Sequence, residues 1–151
     1  MSLPVPSPIG RCGLGLACAD ILLRLVDEER PAAVARRLAV VLLAQHMPDL
    51  ADDVALAVSE LVTNAQGHGG GLAEVGIARY ERGVAVTVTD HSGDYKQITD
   101  FMRGMSVDGE WRAESGRGLI LVGACATAWS VEPACPAGAI VTAVFRTGAL
   151  T

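Results

Sequence analysis

Positive charge is scarce in this chain. The formal net charge is −5 over 151 residues, and no basic stripe is available to neutralise a phosphate backbone, which argues against a nucleic-acid partner. Arg36 and Arg37 are the only adjacent basic pair, and an ordinary helix face accounts for them. Long hydrophobic runs are missing too. None reaches the roughly 18–20 residues that cross a bilayer, and Leu38 to Gln45 is short and lies within an amphipathic pattern. The first 20 residues carry one Arg and no strong apolar block, so a secretory leader is not expected and a cytoplasmic protein is. Aromatic residues make up 4% of the chain, so a core must be built from Ala, Val and Leu. The cysteines, Cys12, Cys18, Cys125 and Cys135, show no metal-ligand spacing and read as reduced thiols.

Apolar residues make up half of the chain, enough for a real core, and the length suits one domain. Residues 1–19, rich in Pro and Gly, read as a flexible tail, and 20–151 as a single domain. Ile21 to Val26 read as a first strand. Pro31, at home in a first helical turn, opens a helix to about His46. Met47-Pro48-Asp49 breaks it, and a second amphipathic helix runs from about Asp52 to His68, ended by Gly69-Gly70-Gly71. Glu74 to Tyr80 and Val84 to Asp90 read as a hairpin around Glu81-Arg82-Gly83. Residues 91–115 have few periodic apolar positions, and so long a loop in a compact domain is usually functional or disordered. Gly118 to Ala126 read as the last helix, and Trp129 to Glu132 and Ile140 to Arg146 as the closing strands. The expected fold is an α/β two-layer sandwich: a mixed, mostly antiparallel sheet with helices on one face.

Three segments carry chemistry. In Ser59-Glu60-Leu61-Val62-Thr63-Asn64, Glu60 and Asn64 are four apart and emerge on nearly the same side of a helix. Val54, Ala57, Val58, Leu61, Val62 and Ala65 form the neighbouring apolar stripe, so the pair stands beside the core on a rigid element. A carboxylate can orient or deprotonate a nucleophile, and a carboxamide oxygen is a hard ligand for Mg²⁺. A solvated helix face also produces this spacing. Second, the strand of Val84, Val86 and Val88 ends in Asp90. Its carboxylate can accept a hydrogen bond from an exocyclic amine such as that of adenine, or can cap a turn. Third, Gly116-Arg117-Gly118-Leu119 opens an apolar helical run. Glycine admits a ligand close to the backbone, helix amides attract anions, and Arg117 can add a contact to phosphate. His68, one turn beyond Asn64, either packs or caps, or borders a phosphate pocket. Trp111 reads as a docking residue or as packing within its own loop, and Trp129 as core.

Taken in order, these segments resemble the GHKL ATPase superfamily of gyrase B subunits, heat-shock chaperones, mismatch-repair proteins and histidine kinases. Within it, the chain resembles the small bacterial anti-sigma-factor serine/threonine kinases and their actinobacterial relatives. Ser59 to Ala65 with His68 resembles their N-box, Asp90 with Ser92 the first glycine box in its actinobacterial form, and Gly116 to Leu119 with Leu121-Val122 the second. Ala35-Arg36 and Trp129-Ser130-Val131 also fit, and the likeness runs from about residue 21 to about 146. The resemblance implies the histidine-kinase-like ATPase (Bergerat) fold, with residues 91–115 as a lid over the phosphates of a bound Mg²⁺-ATP. By the same resemblance Asp90 takes the adenine amine, Asn64 the metal, Gly116, Arg117, Gly118 and Leu119 the phosphates, and His68 and Gly93 border the pocket. Glu60 is the base toward a substrate serine. The partners implied are a sigma factor and an anti-anti-sigma (STAS-type) protein, with the chain as a homodimer.

Two departures bear on activity. Relatives commonly carry a Gly-Lys-Thr-like stretch in the last strand, where this chain reads Gly138-Ala139-Ile140-Val141-Thr142. Thr142 replaces the missing hydroxyl only if the register shifts. Gly93-Asp94 does not supply the full glycine spacing of the wider superfamily's first box. Kinase activity is therefore one expectation. A binding module that holds a sigma factor or another regulator without phosphate transfer is the other. A stand-alone ATPase domain serving a histidine-kinase system fits less well, because the chain has no room for a helix pair with a phosphoacceptor histidine.

Overall fold

The computed structural model describes residues 13–25, 29–67, 72–91, 121–134 and 138–148. In chain order these form β1 (Ala17–Arg24), α1 (Pro31–Leu43), α2 (Pro48–Gly67), β2 (Leu72–Tyr80), β3 (Gly83–Asp90), a short helix α3 over 121–125, β4 (Ala128–Pro133) and β5 (Ala139–Arg146). The strands make one sheet of order β1-β2-β3-β5-β4. Every pairing among the described residues is antiparallel, the predominant arrangement of the mixed, mostly antiparallel sheet that was expected. The physical reason is the connection after β3. The chain returns through α3 to an edge strand, and β5 then folds back between β4 and β3.

One face of the sheet carries the core. Val75 and Ile77 of β2, Val84, Val86 and Val88 of β3, and Val141, Ala143 and Phe145 of β5 all point to it, as side chains two apart on a strand must. Against them lie Ala35, Ala39 and Leu43 of α1 and Val54, Ala57, Val58, Leu61, Val62 and Ala65 of α2. Small and β-branched side chains let helix and sheet approach closely, and among the described residues Phe145 is the one aromatic ring in this layer. Val122 of α3 is buried with them.

α1 ends three residues earlier than expected. The amides of His46 and Met47 both donate to the Leu43 carbonyl, tightening the end of the helix, and Met47 is buried. α2 then begins at Pro48 rather than Asp52, because a proline at the first position is already fixed near helical φ. Leu50 and Ala51 thereby join the core.

The stretch expected to be a tail is structured from Gly13 on. β1 starts at Ala17 instead of Ile21, pairing Ala17 to Asp20 with Tyr80 to Ala78 across a register shift between Ala17 and Ala19. Before it, residues 13–16 clasp the β2–β3 hairpin. The Arg82 amide donates to the Leu14 carbonyl (2.8 Å) and the Glu81 amide to that of Leu16 (2.9 Å). Glu81 Oε1 accepts from the Leu16 amide (2.8 Å), and Arg82 Nε donates to the Gly13 carbonyl (2.9 Å). Leu14, with Tyr80, Ala85 and Val144, forms a second, smaller core on the opposite face of the sheet. Gly83 is required there, since a Cβ on it would strike the Phe145 carbonyl oxygen and stand 2.5 Å from Leu14 Cδ2.

Trp129, expected in the core, is 37% exposed. It sits on β4, which among the described residues is an edge strand paired only with β5, so one flank of its ring has no neighbouring strand there. The only helical part of the expected Gly118–Ala126 helix among the described residues is 121–125. No helix among the described residues is long and apolar enough to cross a membrane.

Candidate functional site

The α2 stripe contains a polar residue. Positions 54, 57, 61 and 64 recur at helical spacing on the buried side, and the last of them is Asn64, 9% exposed. This is deeper than a place beside the core. Its Oδ1 is buried and has no hydrogen-bond partner. An unsatisfied buried acceptor costs about 1–3 kcal/mol, so it points to a ligand that supplies a donor or a cation. Glu60, one turn earlier, is half-buried, with about 5–6 Å expected between Cβ atoms at that spacing. Thr63, between them, turns its hydroxyl back to the Ser59 carbonyl (2.8 Å).

Asn64 opens onto a cleft lined by Leu61, Asn64 and Ala65 of α2, Val88 and Asp90 of β3, and Ala139 and Val141 of β5. As it stands the cleft is shallow and open to solvent, far smaller than a formed small-molecule pocket. Five lining side chains are apolar, and the two polar ones stand on different elements. Apolar walls with a few convergent polar groups are the composition of small-molecule sites in general. Asp90 is 4% exposed and ends β3 in register with Ala139. It lies on the helix-covered face because it continues the alternation of Val84, Val86 and Val88.

Thr142 does not reach this cleft. It pairs with Thr87 and Ser130 on the opposite face of the sheet, while Val141 and Ala139 line the cleft from the same strand. The register that would aim its hydroxyl inward is not the one adopted. His68, Gly93, Gly116, Arg117, Gly118 and Leu119 lie outside the described residues, as do Trp111 and all of the 91–115 lid segment except His91, which is exposed. The structure thus brings Asn64 and Asp90 together, keeps Glu60 one turn away and turns Thr142 aside. The sequence argument missed the apolar walls, Leu61, Ala65, Val88, Ala139 and Val141. Their signal was indistinguishable from core periodicity. Among the described residues, no three His, Cys, Asp or Glu side chains gather as a metal cage.

An antiparallel sheet covered on one face by helices, with a cleft at the end of its central strand, defines a ligand-binding α/β sandwich. Residues 25–145 match the family model of the histidine kinase-like ATPase domain, and the chain belongs to that family. The match supports the GHKL superfamily and implies ATP as ligand. A search of curated proteins finds no match to the chain.

Proposed function

We propose that the protein is an ATP-dependent regulatory kinase of the anti-sigma-factor type. It would transfer phosphate to a serine of an anti-anti-sigma (STAS-type) partner and hold a sigma factor as a cytoplasmic homodimer. The observation that carries the nucleotide site is the orphaned, buried Oδ1 of Asn64 facing the same cleft as the Asp90 carboxylate. Adenine would lie between Val88, Val141 and Leu61, its exocyclic amine donating to Asp90. The Asn64 oxygen, hard and without a partner, fits one position of a Mg²⁺ shell whose other ligands come from phosphate and water. Magnesium there would neutralise charge on a transferring phosphoryl group. Glu60 stands one turn from that oxygen, where it would accept the proton of an incoming serine hydroxyl.

A second reading, a regulator-binding module without turnover, is favoured by β5. That strand presents Ala139 and Val141 to the cleft and no hydroxyl. Calorimetry with Mg²⁺-ATP on the wild type and on Asn64→Ala tests the site, and binding is expected to vanish in the variant. Radiolabel transfer from ATP to a purified STAS domain, with Glu60→Gln as control, separates the two readings. Binding without transfer leaves the module, and no binding by the wild type ends the kinase reading.

A further inference from the structure

β5 enters the sheet through Gly138, whose φ is +104°, a conformation that residues with a Cβ rarely adopt. The space around it is more restrictive than the angle. A Cβ on Gly138 would strike the carbonyl oxygen of Asp90, and would stand 2.6 Å from His91 Cα and 2.8 Å from the Asp90 carbonyl carbon. All three are backbone atoms and cannot rotate aside. The next residue, Ala139, is the register partner of Asp90, and the Gly138 carbonyl accepts from the Ala134 amide (3.1 Å), which ties the β4–β5 connection. The end of β3 is therefore seated against a bare Cα.

We propose that Gly138 is a positioning residue: its missing side chain lets the start of β5 lie against the backbone of Asp90, and that contact holds the Asp90 carboxylate in the cleft. The proposal rests on the ATP reading above, in which Asp90 recognises the adenine amine. Any side chain at position 138 displaces the end of β3, and hydrogen bonds weaken steeply with such shifts. Base recognition then fails while Val88 and Val141, farther along β3 and β5, remain in place.

The test is binding of Mg²⁺-ATP and Mg²⁺-ITP by calorimetry. Inosine carries a carbonyl in place of the amine, so it cannot use Asp90 in this way. The wild type is expected to prefer ATP. Gly138→Ala is expected to lose at least 10-fold in ATP affinity with ITP affinity unchanged, so the preference collapses. In an Asp90→Ala background, which has no acceptor, it should change neither. Gly83→Ala inserts a comparable clash at the other end of β3, and should lower thermal stability while keeping the preference. Should Gly138→Ala not fold, Gly138→Asn carries the same Cβ on a residue that tolerates positive φ better, and the same collapse is expected. A folded variant at 138 that keeps the wild-type preference overturns the proposal. So does failure of both to fold, which would make Gly138 a requirement of the fold and not of Asp90. A wild type that binds neither nucleotide, or binds both equally, overturns the ATP reading itself and the proposal with it.

Discussion

Asn64→Leu should stabilise the protein in the absence of nucleotide. The wild-type Oδ1 is buried without a partner, a desolvation penalty of about 1–3 kcal/mol. Leucine removes that acceptor and extends the stripe of Val54, Ala57 and Leu61 by one turn. Its extra volume is the opposing term, since overpacking a closed core costs about 1–3 kcal/mol. Here the side chain borders a cleft open to solvent, which relieves part of that cost. The net expectation is a gain of about 1 kcal/mol. It would appear as a rise of about 2–4 °C in Tm, or of about 0.3–1 M in the urea midpoint at a typical m-value. Urea denaturation without nucleotide, followed by circular dichroism, is the assay. A loss of more than about 1 kcal/mol would refute the reasoning, because it would mean that the carboxamide holds the fold together.

Three further outcomes follow from the packing. Leu14→Ala should cost about 2–5 kcal/mol, because Leu14 is 2% exposed beneath the β2–β3 hairpin; a thermal melt within 1 °C of wild type would return residues 13–16 to the status of a tail. Phe145→Ala should cost about 3–5 kcal/mol by the same assay, since Phe145 is fully buried in the main core. Burial, and secondarily the Asp20 carboxylate, push the Tyr80 phenol above its ordinary value. The folded state then keeps the proton to higher pH than the unfolded chain, so this contribution is intact below about pH 10 and is lost as pH rises beyond it. Urea titrations between pH 9 and 11 should show that alkaline decline, and Tyr80→Phe should flatten it.

The parts of the fold that were readable from sequence are those whose signal is local. Val84, Val86 and Val88 announce a strand by alternation, and the Val54 to Ala65 stripe announces a helix by its period. β1 was read four residues short because Ala17-Cys18-Ala19-Asp20 contains no β-branched residue; its pairing with β2 supplies what propensity lacks. The clasp by residues 13–16 is tertiary and leaves no periodic trace. Asp90 and Asn64 were singled out by residue type and spacing together with the order of the segments that resembles the family. The depth of Asn64 was not, since a polar residue in an apolar stripe looks like its margin. Thr142 illustrates a strand's parity: one residue's difference in register decides which face a hydroxyl meets. Trp129 was misplaced because hydrophobicity marks a preference for burial, while an edge strand provides only half the neighbours.

The central claim is that the cleft between α2, β3 and β5 takes the adenine nucleotide. Methyl-resolved NMR of the full chain during a Mg²⁺-ATP titration tests it most directly. Resonances of Leu61, Val88 and Val141, which line the cleft, should shift together and saturate, while those of Leu14 and Val144, on the opposite face, stay in place. Shifts confined to Leu14 and Val144, or none at saturating nucleotide, would contradict the account.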